Sequence, residues 1–449
     1  MTTSTKHPSD IELTSNELPQ SDGFELEGEA LVESSKERPE RDGFEQGVAL
    51  VEFDEDGQII SPIPNEGKST NTQLAFNIII SFVGAGLLGM PYAFLQSGWL
   101  LGSIALVIVS AANVYAMLRL VDVRKRLEAD GHKNVLGYGD VGRVVMGERG
   151  EQVVNICLVI SQVGFATAYI IFIASNIQSL APSVDSAVIC FGCIPILSFL
   201  VQAKEMKTLS PFSLLADVAT VVGISTVFFQ DYEHYRHDDD IAEFNWTNLY
   251  YVIAISVYSL EGVVLVLPLE SSAQNRKAFP YLLTGVITAI TVIMALFGTA
   301  GYLAFGDQTL APITLNLTHG SGMFVKLALC VALYFTYPMM MFPVHGILEA
   351  LVTNVPSFII RTLLVILTAI VAYSIPDFGK FLSLVGSSIC TLLGFIFPCY
   401  FHLKVFGVHE LSWWQSLLDI VLVVGGTVFA FVGTYHSFLN LWDDNDGEL

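Results

Sequence analysis

Apolar runs separated by short polar connections occupy the chain from residue 72 to residue 438. A helix that crosses a bilayer needs about 20 mostly apolar residues. Eleven stretches reach or approach that length: 72–96, 99–121, 150–180, 186–201, 212–230, 247–268, 281–306, 322–345, 357–374, 378–401 and 416–438. The fourth, bounded by Pro182 and Lys204, is the shortest, and the ninth is also brief. The pattern predicts an all-α membrane protein of about 11 transmembrane helices over 71–440. Polar tails flank it at 1–70 and 441–449.

Two of the runs break the pattern. The first is interrupted by Gly84-Ala85-Gly86-Leu87-Leu88-Gly89-Met90-Pro91. Lipid cannot satisfy backbone N–H and C=O groups, so a break persists only where protein or a ligand takes them up. Close packing between helices also selects small residues, but it explains one glycine better than this cluster. The sixth run carries Ser259-Leu260-Glu261-Gly262 near its middle. A carboxylate at the centre of a spanning helix costs about 2.5–3.5 kcal/mol on insertion scales and marks a pathway or a site. The competing explanation is a structural glutamate bonded to a neighbouring helix.

The first and sixth spans each open one half of the set 1–5 and 6–10. Five is odd, so the halves have opposite topology. Interrupted helices at matching positions of two inverted halves are the sequence mark of a secondary transporter's binding site. Half-helix N-termini offer N–H groups and the positive dipole end to an anion, while freed carbonyls face a cation. An α-amino acid carries both charges and fits both ends. The expected substrate-binding residues are Gly84, Ala85 and Gly86, through backbone atoms, with Ser259, Leu260 and Gly262 completing the site.

Composition sharpens this picture. Only 14% of the residues are charged and 53% are hydrophobic, against about 25% charged in a soluble domain. Residues 1–70 hold 17 Asp/Glu and 5 Lys/Arg out of a chain with net charge −22. Such a segment is expected to be disordered and cytosolic, with no cleavable signal peptide ahead of the first span. It repeats Asp22-Gly-Phe-Glu25 with Ala30-Leu-Val-Glu33 as Asp42-Gly-Phe-Glu45 with Ala49-Leu-Val-Glu52, a candidate linear motif for a cytosolic partner or a drifted duplication. Glu55-Asp-Gly-Gln-Ile-Ile60 resembles an acidic dileucine-type sorting signal. With the N-terminus in the cytosol, 18 of 21 Lys/Arg fall on or beside that face; Arg236, Lys326 and Lys380 do not. The sequons at Asn245 and Asn316 then land in non-cytosolic loops, where glycosylation occurs.

The remaining polar residues add less. Gln162, Thr167 and Tyr169, and Ser383, Ser387 and Ser388, suit interhelical hydrogen bonds better than cavity lining. Thr336 and Tyr337 precede Pro338, where a helix distortion is expected. The Asp231–Asp240 loop reads as a solvated charged loop, and the six cysteines as packing residues. No phosphate-cradling loop, nucleophile elbow or H-E-x-x-H motif occurs, so neither an ATP-driven pump nor an enzyme is supported. No cofactor, metal or nucleic-acid partner is expected; the expected partners are an amino acid, a coupling ion and the lipid bilayer.

At Gly84-Ala-Gly-Leu-Leu-Gly-Met-Pro-Tyr-Ala93 and Ser259-Leu-Glu-Gly-Val-Val-Leu-Val-Leu-Pro-Leu-Glu270 the chain resembles the amino acid/auxin permease family. It is most similar there to the proton-coupled and vacuolar amino acid transporter branches, over roughly residues 70–440. The resemblance implies a LeuT-type 5+5 inverted repeat with broken helices 1 and 6, and H⁺-coupled alternating-access transport of neutral amino acids. It also implies a vacuolar or lysosomal membrane rather than the plasma membrane. The animal proton-coupled branch has a histidine seven positions before the G-x-G motif; here that position is Asn77. Glu261 therefore becomes the proton-coupling candidate. Two rivals remain: Na⁺-coupled uptake at the plasma membrane with Thr336 near an ion site, and an amino acid sensor signalling through its N-terminal tail.

Overall fold

The computed structural model describes residues 69–441 apart from 83, 133–134, 203–224, 227–240, 318–319 and 353, together with 52–53 and 59–60. Two dipeptides pair antiparallel, β1 (Glu52–Phe53) with β2 (Ile59–Ile60), inside the acidic tail. Everything else with regular structure is helical among the described residues.

Eight helices among the described residues are long and apolar enough to cross a membrane, and they correspond to the second, third and sixth to eleventh predicted spans. The first span is present in pieces: α1 (Asn71–Phe82), a 3₁₀ turn (Ala85–Gly89) and α2 (Met90–Ser97). The fourth is α6 (Ser186–Leu200), 15 residues with Pro195 inside. The predicted fifth span, with Asp217, and the 231–240 loop lie outside the described residues, save Ser225 and Thr226.

Span two is α3 (Trp99–Ala129), longer than its apolar run. Its last turns carry Arg124 and Glu128, which find ionic partners and let the helix continue beyond the apolar layer. A short amphipathic helix that the spans did not predict follows, α4 (Tyr138–Met146), with Tyr138, Val141 and Gly142 buried. Span three is α5 (Glu148–Leu180). Span six splits into α7 (Leu249–Ser259) and α8 (Val263–Ser272), with Leu260–Gly262 outside helical geometry. Both breaks read from the sequence are therefore present at matching places.

Span seven is α9 (Phe279–Phe305), span eight α10 (Gly320–Leu351) and span nine α11 (Ser357–Ser374). The distortion expected at Thr336–Pro338 is absent, because α10 runs unbroken through Pro338 and Pro343. Proline is tolerated in spanning helices where neighbouring groups take up the freed carbonyls. Span ten departs from α geometry instead. Between α12 (Phe378–Val385) and α13 (Phe397–Glu410) lie two π-helical turns, Gly386–Cys390 and Leu392–Ile396. The Thr391 hydroxyl donates to the Gly386 carbonyl five residues back, as a π turn allows. Span eleven is α14 (Trp413–Asn440), opened by a capping box between Ser412 and Gln415.

Spans one, three, six and ten supply much of the buried core, whereas span eleven is the least buried. Large apolar side chains such as Phe76, Ile108, Phe199, Val424 and Phe431 point outward, as a lipid-facing surface requires. The broken segments are packed together inside that core, the 3₁₀ turn lying against α7, α5 and α12.

Candidate functional site

The two breaks meet through their glycines. A methyl group on Gly86 would lie 2.9 Å from the Ser259 Cα, so the 3₁₀ turn touches the end of α7 backbone to backbone. A methyl group on Gly262 would collide with the Phe82 ring, at the end of α1. Among the described residues, its chain neighbours aside, no heavy atom comes within 4 Å of the position a Cβ on Gly84 would take. Two glycines thus allow close approach, and the third faces open space.

The chain ends at these breaks are the expected binding groups. The first N–H groups of the 3₁₀ turn and of α8 have no intrahelical acceptor, and the last carbonyls of α1 and α7 lack some of their donors. Span two supports the second break: Asn113 on α3 donates from Nδ2 to the Leu260 carbonyl at 2.7 Å. That hydrogen bond replaces one the helix loses at Leu260–Gly262.

Polar side chains converge here with little to bond. Ser256, Tyr258, Ser259 and Asn113 are all buried, yet the three hydroxyls and the Asn113 Oδ1 have no hydrogen-bond partner among the described residues. Glu261 is 8% exposed, and neither of its carboxyl oxygens makes a hydrogen bond of good geometry. The backbone N–H of Val263, at the head of α8, is the donor that faces it. Buried polar groups are almost always hydrogen-bonded, so six such atoms around one break call for an explanation. A polar ligand at the break supplies one.

The surroundings of Glu261 come from three other elements. Gly394, in the second π turn of span ten, would bring a Cβ to 3.2 Å of Oε2, so its lack of a side chain makes room for the carboxylate. Tyr138 of α4 lies within electrostatic reach of Glu261 and donates to the Leu393 carbonyl at 2.7 Å. Cys390 lies in the same space. Against α7, Phe165 of span three packs its ring 4.7 Å from the Tyr258 ring.

Of the residues singled out from the sequence, Gly84, Ala85, Gly86, Ser259, Leu260, Glu261 and Gly262 come together. Thr336 does not join them: its hydroxyl donates to the Ala332 carbonyl of its own helix at 2.9 Å. Thr167 likewise bonds back to Val163, while Ser383 pairs with Ser437 of span eleven at 2.9 Å. Asn77 is buried on α1, and its carbonyl accepts from Ser81. Asn245 lies in a loop and Asn316 ends a 3₁₀ turn (Ile313–Asn316); the Asn316 amide donates to Gln308 and accepts from Leu310. All six cysteines are free and buried. Sequence reasoning missed Asn113, Tyr138 and Tyr258. A polar residue inside the second apolar run was the signal available for Asn113.

A second glutamate on the same span stands in contrast. Glu270, fully buried, accepts from Arg124 Nη1 at 2.9 Å and from Arg276 Nη2 at 2.7 Å. Arg124 and Arg276 also reach Glu128 at 3.0 Å each. Beside this cluster Ser69 bridges Ser272 and Gln274 through backbone hydrogen bonds, tying the entry to α1 to the end of α8.

Comparison with known proteins agrees with this geometry. The family described as "Transmembrane amino acid transporter protein" matches residues 67–439. The chain is 36% identical to Amino acid transporter ANT1 of Arabidopsis thaliana, over 83% of this chain and 93% of that protein. It is 27% identical to Vacuolar amino acid transporter 3 of Saccharomyces cerevisiae, over 84% of this chain but 57% of that longer protein. Among solved structures, a single-residue mutant of the Eremococcus coleocola manganese transporter superposes with a TM-score of 0.50 at 11% identity, over 85% of this chain and 90% of that one. That likeness concerns the fold, a LeuT-type arrangement with broken first and sixth helices.

Proposed function

This chain belongs to the transmembrane amino acid transporter family, is a multi-pass membrane protein and is no enzyme; from that premise we propose that it carries neutral amino acids in symport with H⁺ by alternating access. The observation that carries the proposal is the set of six unpaired polar atoms on Asn113, Ser256, Tyr258, Ser259 and Glu261 around the sixth-span break.

The substrate carboxylate would bind the N–H groups at the head of the 3₁₀ turn, at Gly84, Ala85 and Gly86, and at the head of α8, beside Gly262. The ammonium would face the carbonyls that end α1 and α7, with Ser259 and Leu260 at its side. The open space next to Gly84 is where the substrate's own atoms would lie. Only backbone and hydroxyl groups contact its head, which suits any α-amino acid and leaves selection to side-chain size.

Coupling follows from Glu261. Its carboxylate faces the Val263 N–H, so it and the substrate carboxylate draw on the same positive end of α8. Two anions in one low-dielectric space repel strongly, and a proton on Glu261 removes the conflict. Substrate and proton would thus bind together and leave together. The sodium alternative rests on Thr336, whose hydroxyl donates to Ala332 and keeps its oxygen lone pairs for a cation, so ion replacement decides between the two.

For placement, the vacuolar relative and the tail's weak sorting motif support a vacuolar membrane, with the N-terminus in the cytosol on the Lys/Arg count. Export from an acidic lumen to the cytosol is then the downhill direction, and Asn245 and Asn316 would be lumenal and open to glycosylation. Uptake into reconstituted vesicles tests the proposal, across a panel of amino acids with an imposed pH gradient and with Na⁺ replaced by choline. Stimulation by the gradient and indifference to choline are expected; loss of uptake in choline would instead make the carrier sodium-coupled.

A further inference from the structure

Away from the breaks, three spans bring a second ionisable cluster together. Asp419 of span eleven is fully buried, and its Oδ2 lies 2.6 Å from Nδ1 of His402 on span ten, itself 1% exposed. Tyr115 of span two donates to the other carboxylate oxygen, Oδ1, at 2.9 Å. Its hydroxyl also lies 3.3 Å from the Gln415 carbonyl, one turn before Asp419. An ionisable pair inside spanning helices is costly and is usually tied to ion or proton movement.

The depth of the pair suits exchange with one aqueous phase. Trp413 and Trp414, exposed at the start of α14, occupy the position of interfacial anchors. Asp419 follows Trp413 along the helix, about 9 Å into the layer. On span ten the helix departs from α geometry at Gly407, where φ is +70°, little more than a turn beyond His402. In the orientation proposed above this is the cytosolic face.

We propose that His402 and Asp419 form a buried proton-binding site near the cytosolic end of their spans, which sets the carrier's response to cytosolic pH separately from Glu261. With the proton, the pair is neutral overall, as an ion pair or as two uncharged groups. Without it, a net negative charge stays buried on the carboxylate, held by the Nδ1–H of the neutral imidazole, the Tyr115 hydroxyl and the Cys399 thiol. Other groups face the pair from the packed elements: Arg119 on span two, itself paired with Asp122, and Cys399 on span ten, which hydrogen-bonds Asp419; Tyr138 of α4 packs on Phe401 nearby. Of these neighbours among the described residues, Arg119 is the cation.

Span two links this pair to the substrate site. Asn113 and Tyr115 are two residues apart on α3 and so point to different sides of it. Asn113 holds the Leu260 carbonyl at the sixth-span break, and Tyr115 holds Asp419. Loss of the proton changes the demand on Tyr115, and span two carries that change toward the break. Span two is thereby biased by both sites, and a two-state element biased by both is the requirement for coupling.

The inference rests on the transporter reading but not on the role of Glu261, and the test separates them. Amino acid exchange is measured in proteoliposomes at equal pH on both sides, over a pH series, in a Glu261→Gln background that removes the other titrating group. Exchange is expected to remain pH-dependent there and to become flat on adding Asp419→Asn or His402→Gln. Tyr115→Phe, which removes only a hydroxyl, guards against a variant that fails to fold. This variant, also made in the otherwise unchanged protein, removes one donor from the carboxylate and is expected to displace the midpoint of the exchange profile. A profile unchanged in Tyr115→Phe, or a residual pH dependence that survives Asp419→Asn, would overturn the proposal. Accumulation driven by a pH gradient in Glu261→Gln would overturn the coupling role of Glu261 instead.

Discussion

Glu261 and Glu270 lie on the same interrupted span, both buried, and differ in almost everything else. Glu270 receives two arginines with short contacts and a third group, Glu128, closes the cluster. Glu261 has room made for it by Gly394 and faces a single backbone N–H at the head of α8. A buried charge whose partners are all present fixes structure. A buried carboxyl left short of donors, beside backbone groups aimed at a ligand, is free to bind a proton and release it. The contrast separates an acid on span six that is held on every side from one that stands free for the proposed coupling.

Breaking the anchored side should have the largest effect. Glu270→Ala removes the buried acceptor that Arg124 and Arg276 share and leaves them only the more exposed Glu128. Losing one partner of a buried pair costs about 3–5 kcal/mol, so a large fall in the thermal unfolding temperature of the purified protein is expected. A near-normal transition would mean that the cluster is not structural.

The glycines sharpen the comparison next. Gly262→Ala drives a methyl into the Phe82 ring, and Gly86→Ala drives one into the Ser259 backbone. Overpacking of this kind costs about 1–3 kcal/mol, and here it also separates the two breaks, so uptake should fall along with stability. Gly84→Ala is the control within the same motif. Its φ of −131° suits alanine and no atom stands in the way, so stability should stay within about 0.5 kcal/mol. Its methyl would intrude on substrate, which would show as a raised KM in concentration-dependent uptake. A KM unchanged in Gly84→Ala would argue against substrate beside that residue.

The smallest expected effect is at the loop helix. Tyr138→Phe forfeits one hydrogen bond to the Leu393 carbonyl, worth about 0.5–1.5 kcal/mol. It keeps the ring against Phe401, so folding should survive and the loss should show as a modest decrease in thermal stability.

Much of this was legible in the sequence, for physical reasons. Glycine clusters and one carboxylate stand out in apolar runs because lipid penalises both, so the breaks near Gly84–Gly86 and within Ser259–Gly262 could be placed, though Ser259 itself stays helical. Glu270 was visible as part of a motif, but its partners were not, since Arg124 and Arg276 reach it from other segments. The π turns of span ten have no residue signature; they lie where the span packs against Ala254, Tyr258, Glu261 and Tyr138, all from other segments. The His402–Asp419–Tyr115 cluster escaped because each member sits near the end of a different apolar run, where a polar residue looks solvated. At Thr336 a hydroxyl before a proline allowed for a distorted helix, whereas α10 continues through Pro338 without a break.

The most direct test of the account is a paired measurement on Glu261→Gln: thermal stability in detergent and amino acid accumulation in proteoliposomes under an imposed pH gradient. Glutamine has the same size and leaves no arginine stranded, so the account predicts near-normal stability, binding of substrate retained, and accumulation no longer stimulated by the gradient. Accumulation that still follows the pH gradient in Glu261→Gln would contradict it.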